Sequence, residues 1–245
     1  METSPAGSRV LDVGGNIGYF TFLSAANGPV TVDAFEPNPK NRLRFCESLQ
    51  LNQWLTEYDP WWEAPSTKRS KVNLYAMGVG AEEGFFEFVE NGNPGQGSFG
   101  DNKGNFNDKQ ASPKNGFRVI TLDQFAEERG WFGDDDGLQP DIALLKVDVE
   151  GLEYKVIEGA QKLLQAKIIR NIFMEVSART HAERKANEPA IRYFLQAGYR
   201  LHQTGGGRGP EDDFNFSQEK YSLVEKVMNL TLAEKGKQLN LWWTL

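Results

Sequence analysis

Three glycines and an asparagine crowd into Gly14-Gly15-Asn16-Ile17-Gly18, between the acid-bearing run RVLDV and the apolar run YFTFLSAA. Glycine at such a junction admits positive φ and brings backbone N–H groups close to a ligand that a Cβ would hold off. The dinucleotide fingerprint would need glycine at 14, 16 and 19, where this chain has Gly14, Asn16 and Tyr19, so that pattern fails. Asp12 stands just ahead of the turn, where an acid repels a pyrophosphate and favours an ammonium or a sulfonium. That charge suits S-adenosylmethionine. Glu36 follows about 20 residues later, at the end of the next strand pattern, where a carboxylate can accept both ribose hydroxyls. Asp12, Gly14, Gly15, Asn16, Gly18 and Glu36 are the expected cofactor residues, with the adenine against Ala76, Met77 and Gly78.

A second constellation is KVDVEGLE. With period two, Lys146, Asp148 and Glu150 share one side, and Val147 and Val149 face the other. Asp148 is the first candidate at the site, holding either the cofactor ammonium or the acceptor hydroxyl; Glu150 is the second. Lys146 reads as an ion-pair partner, and Glu153 as an acid that complements a helix N-terminus. An aliphatic hydroxyl needs a base that acts as the methyl group moves, or a metal. His181, just past the strand pattern NIFMEVS, is a candidate base, weighed against an exposed loop histidine. Asp148, Glu150 and Glu175 offer oxygen ligands of the kind a divalent cation takes, but a metal-free site is the favoured reading. His202 in a strand pattern and Cys46 in a helical one read as structural, the thiol as buried.

Alternating strand and helix patterns position these residues. Strands are expected at 9–13, 30–36, 72–79, 85–90, 117–122, 142–149, 171–177, 199–203 and 238–243. Helices are expected at 17–26, 39–53, 152–165, 187–198 and 221–236. The βαβα order predicts an α/β fold, a mostly parallel sheet with helices on both faces. The whole of 1–245 reads as one domain, with long Gly/Asn-rich loops at 91–116 and 204–213 as candidate lid or acceptor elements.

The net charge of −7 (27 basic against 34 acidic side chains) argues against an extended grip on nucleic acid. It leaves room for a cationic ligand. One cysteine excludes an internal disulfide and fits a reducing, cytoplasmic compartment. No apolar run is long enough to span a bilayer, and no leader precedes the first strand, although the abrupt start leaves room for a missing upstream segment. Oligomeric state is not encoded in any visible pattern.

In order along the chain, VLDVGGNIGYF, DAFEPNPKN, AMGVGAEEG, VITLDQF and LLKVDVEGLEYKVIEGAQKLL resemble successive signatures of FkbM-type S-adenosylmethionine-dependent methyltransferases. The resemblance covers about residues 9 to 200 and is most specific at LKVDVEGLE; the tail after about 204 departs from it. It implies a Rossmann-like class I methyltransferase fold, a seven-stranded sheet with an antiparallel last strand. It also implies methyl transfer, usually to a hydroxyl oxygen of a sugar, glycan or natural-product small molecule. The competing readings are a nucleotide-dependent oxidoreductase on a similar sheet and a non-catalytic binding module that keeps the fold.

Overall fold

The computed structural model describes residues 7–52, 70–90, 97–99, 116–132, 139–176, 181–204 and 239–245. The chain runs β1 (Arg9–Val13), α1 (Tyr19–Ala26), β2 (Thr31–Phe35), α2 (Pro39–Leu51), β3 (Lys71–Tyr75), β4 (Met77–Val79), β5 (Gly84–Glu90) and β6 (Gly97–Phe99). It continues through β7 (Gly116–Ile120), α3 (Leu122–Glu127), β8 (Ile142–Val147), α4 (Glu153–Glu158), α5 (Gln161–Gln165), β9 (Asn171–Val176), α6 (His181–Ala197), β10 (Arg200–Thr204) and β11 (Leu239–Thr244). The expected helix at 221–236 and the two long loops fall outside the described residues, apart from β6 and Thr204.

Seven strands form the main sheet in the order β10-β11-β9-β8-β1-β2-β3. Only β11 runs antiparallel to its neighbours, and the rest of the ladder is parallel. Strand order reverses between β1 and β8, which opens the crevice where ligands of open α/β sheets bind. A smaller sheet, β4-β7-β5-β6, contains the antiparallel pair expected from FFEFVE and FRVITL.

The nearly continuous apolar runs of the central strands follow from burial on both faces. One face packs Leu11, Val13, Leu145, Val147 and Ile172 with Val156 and Leu163 of α4 and α5 and Phe194 of α6. The other packs Val10, Val32 and Ala34 with Phe45 and Leu49 of α2. Cys46, expected to be buried, is exposed, because its neighbour Phe45 takes the inward position of α2.

Other boundaries depart from the sequence pattern for local reasons. The run VNLYAMGV is two strands: β3 pairs with β2 as far as Tyr75, and from Met77 the chain joins β7 in the smaller sheet. A short helix, α3, follows β7, because Thr121 Oγ1 accepts from the N–H of Gln124 at 2.9 Å and caps it. The pattern at 152–165 is broken at Gly159-Ala160 into α4 and α5. The carboxylate of Asp123 supplies the start of α5, accepting from the N–H groups of Lys162 at 3.0 Å and Leu163 at 2.9 Å. Helix α6 begins earlier than expected, running through Pro189 in its interior.

At Gly159 a Cβ would lie 2.1 Å from the carbonyl oxygen of Gly80, backbone that cannot step aside. Gly159→Ala is therefore expected to lower unfolding free energy by about 3 kcal/mol, read as an earlier urea midpoint at unchanged slope.

Candidate functional site

The backbone ladder continues past the strand ends into the glycine turn. The N–H groups of Gly14 and Gly15 both donate to the carbonyl of Phe35, at 3.0 and 2.9 Å. The N–H of Asp148 donates to Val13 at 3.1 Å, and that of Glu36 to Tyr75 at 3.1 Å. Asp12 pairs across the sheet with Lys146 and Ala34, and Lys146 with Phe173. Two residues further along each strand lie Glu175, Asp148, Gly14 and Glu36, a row across the carboxyl ends of β9, β8, β1 and β2. At about 4.8 Å per strand, Glu36 and Asp148 are about 10 Å apart along this row, with Gly14 between them.

Gly14 has φ +79, and a Cβ there would lie 1.9 Å from the carbonyl oxygen of Asp148. No other residue fits. Gly18, at φ +97, leads into α1 and would press a Cβ into the ring of Phe22. Asn16 also takes a left-handed conformation, φ 50, and is exposed. Its N–H donates to Glu36 Oε2 at 2.8 Å, while Oε1 accepts from the N–H of Asn38 at 2.7 Å. Glu36 is thus pinned at 5% exposure. Burial raises the affinity of its carboxyl for a proton, and the two backbone N–H groups oppose that rise.

Asp12 lies beneath the turn with no exposed surface. Its Oδ2 accepts from Thr21 Oγ1 at 2.6 Å, and Oδ1 faces Lys146 Nζ at 3.3 Å. Asp12, expected among the cofactor residues, turns its two oxygens to Thr21 and Lys146. Lys146, only 2% exposed, donates to the carbonyl of Gly14 at 2.7 Å and lies 3.6 Å from Asp148 Oδ2. The ring of Phe20 covers it, 5.3 Å from Nζ to the centroid. Lys146 is the ion-pair partner that the sequence suggested, and it also fixes the turn from below.

Asp148 presents a side chain 32% exposed at the mouth of the crevice. Strand β8 ends at Val147, so the period-two reading does not carry to Glu150, which is exposed with φ +59. Glu153 is fully buried, and its Oε1 accepts from the N–H groups of Val149 and Gly151, both at 3.0 Å. Those bonds hold the β8–α4 turn, which makes Glu153 structural; its Oε2 is buried with no hydrogen-bond partner among the described residues. Glu175, which the sequence offered only as a metal ligand, is strongly altered by its surroundings. Burial first, then the charges of Asp148, Glu153 and Glu150, push its carboxyl up to about 7.

Of the expected adenine contacts, Ala76 is exposed, Met77 packs against the main core, and Gly78 is buried against Phe117 and Val119 of β7. His181 opens α6, but its side chain lies outside the described residues. His202 bonds Thr244 Oγ1 at 2.9 Å between β10 and β11, a structural contact. Among the described residues no three His, Cys, Asp or Glu side chains converge as metal ligands would, and no helix is long and apolar enough to cross a membrane.

The family model of the methyltransferase FkbM domain matches residues 12–201 of this chain. No protein of curated function matches it. Among solved structures, the methyltransferase FkbM of Methylobacillus flagellatus KT superimposes with a TM-score of 0.51 at 11% identity. That match covers 97% of this chain and 44% of the other, so this chain spans less than half of that protein's length. A phosphoethanolamine N-methyltransferase of Haemonchus contortus, solved with S-adenosyl-L-methionine, gives a TM-score of 0.40 at 9% identity, covering 99% and 48%. The first likeness bears on the fold, and the second carries nothing further.

Lys146→Met leaves Asp12 buried without its counter-charge and is expected to cost about 3–5 kcal/mol in chemical denaturation. Adding Asp12→Asn to that variant should recover part of the loss; a purely additive double mutant would show that the pair is not coupled. Glu175 supplies a pH signature. Its folded-state carboxyl stays protonated above the range where the unfolded chain ionises, so it erodes stability as pH climbs from about 4.5 to about 7. Glu175→Gln should therefore melt with the parent near pH 4 and gain about 1–2 kcal/mol on it above pH 7, a figure already reduced for a half-exposed group.

Proposed function

The chain belongs to the FkbM methyltransferase family, and from that premise we propose that it moves a methyl group from S-adenosylmethionine to a hydroxyl oxygen of a sugar, glycan or natural-product small molecule. The observation that carries this reading is the row in which side-chain-free Gly14 lies between Glu36 and Asp148 at the switch point of the sheet. The residues present fit the cofactor. A Cβ at Gly14 would collide with the carbonyl of Asp148 and force the two strand-end turns apart, and Glu36 is a buried carboxylate whose oxygens keep further lone pairs for a diol. The surplus of carboxylates around Asp148 favours a ligand that carries positive charge.

In this reading Glu36 binds the ribose hydroxyls, and Gly14, Gly15, Asn16 and Gly18 shape the backbone against the ligand. Asp148, open at the crevice, meets the ammonium. Asp12 acts through Lys146, which holds the carbonyl of Gly14 and the carboxylate of Asp148 in place. Ala76 borders the adenine. When bound, S-adenosylmethionine supplies a carbon already activated by its sulfonium, so the protein has to align, exclude water and take up a proton.

The test is calorimetric binding of S-adenosylmethionine against NADH, followed by transfer of labelled methyl into an extract of hydroxylated glycans and metabolites, with and without chelator. Glu36→Gln, which keeps an oxygen for one of the two backbone N–H groups, should weaken S-adenosylmethionine binding about 10-fold, the loss of one hydrogen bond to a charged group, with a melting temperature within a few degrees of the parent. Tight NADH binding with no affinity for S-adenosylmethionine would overturn the assignment.

A further inference from the structure

Glu175 stands one strand beyond Asp148, on the side of the crevice away from Glu36. It shares the face of β9 that carries Phe173, whose ring packs against Phe20 above Lys146. The charges that bear on it come from β8 and its turn (Asp148, Glu150 and Lys146) and from α4 (Glu153), while β11 places Asn240 opposite it. Lys146 is engaged with Asp12 and with the carbonyl of Gly14, and it lies 3.6 Å from Asp148. Its ammonium answers those groups first and acts on Glu175 least. A second mark of unmatched negative charge lies alongside. Glu153 is fully buried with Oε2 unpartnered among the described residues, and its charge reaches Glu175.

We propose that Glu175 is the group that takes the acceptor's proton, and that its readiness to do so is set by the charge held at the crevice. This rests on the methyl-transfer reading. The acceptor oxygen uses the electron pair of its O–H bond for the new bond to carbon, and the sulfur keeps the pair of the broken carbon–sulfur bond. The proton passes to a carboxylate oxygen of Glu175 and then to water. A cationic ligand offsets the surplus from Asp148, Glu150 and Glu153 and keeps Glu175 ionised. Once that positive charge is gone, burial first, and then the same three carboxylates, drive Glu175 to hold a proton. Asp148 is less suited to the role, because it has an ammonium at 3.6 Å, whereas Glu175 faces other acids.

Proton counting tests this without knowledge of the acceptor. S-adenosylmethionine and S-adenosylhomocysteine differ by the methyl group and its charge. Each is titrated near pH 7 by calorimetry in buffers of different ionisation enthalpy. The parent should release about half a proton with the sulfonium compound and close to none with the neutral one. Glu175→Gln should bind the neutral compound within about threefold of the parent, bind the sulfonium compound about tenfold more weakly, and lose the difference in proton release. Equal release with the two ligands, or a difference that survives in Glu175→Gln, overturns the proposal while leaving the methyl-transfer reading intact. A Glu175→Gln protein that no longer binds either ligand, while the parent does, assigns Glu175 to the cofactor site and also overturns it. A parent that binds neither ligand overturns the methyl-transfer reading and this proposal together.

Discussion

The ammonium of Lys146 is the hinge on which the crevice depends. It is buried under Phe20 and touches the carbonyl of Gly14, the carboxylate of Asp12 and, slightly further off, that of Asp148. A charge removed from water to this degree is tolerated only with close partners, so each contact is an obligation and the geometry tightens around it. The turn after β1 is thus held from below by a cation and from the side by Glu36, which takes the N–H of Asn16. Neither contact needs a side chain on the turn itself, and the two side chains it carries, Asn16 and Ile17, are exposed.

Charge is distributed unevenly along the row of strand ends. Near β1 it is balanced within the protein, by Asp12 against Lys146. Toward β9 it is not, since Asp148, Glu150 and Glu153 act together on Glu175. The crevice therefore grades from a neutral, rigid floor to a wall with surplus negative charge. A molecule that is polar at its sugar and positive at its other end fits that gradient in one orientation.

Much of this was legible in the residues. The apolar runs of β1, β2, β8 and β9 and the glycine turn gave strand positions within a residue or two, because central parallel strands leave little freedom in composition. Helix α3 had a signal that went unread, Thr121 three positions before Gln124, the pattern of a capped N-terminus. The break at Ala76 had none, since it arises from which strand each half finds as a partner. The site divides in the same way. Gly14, Glu36 and Lys146 announce themselves by type and spacing. The burial of Asp12 and the altered carboxyl of Glu175 come from neighbours distant in sequence, and no local pattern records them.

The place of β11 has a consequence for assembly. It follows β10 in the chain yet inserts between β10 and β9, pairing Asn240 with Glu175. The Gly14 end of the crevice is built from β1, β2 and β8, while the Glu175 end borders a strand that leaves the ribosome after all of them. A nascent chain can thus pair β1, β2 and β8 before β11 is available, so the flank beside Glu175 is the last part of the sheet to be sealed during synthesis.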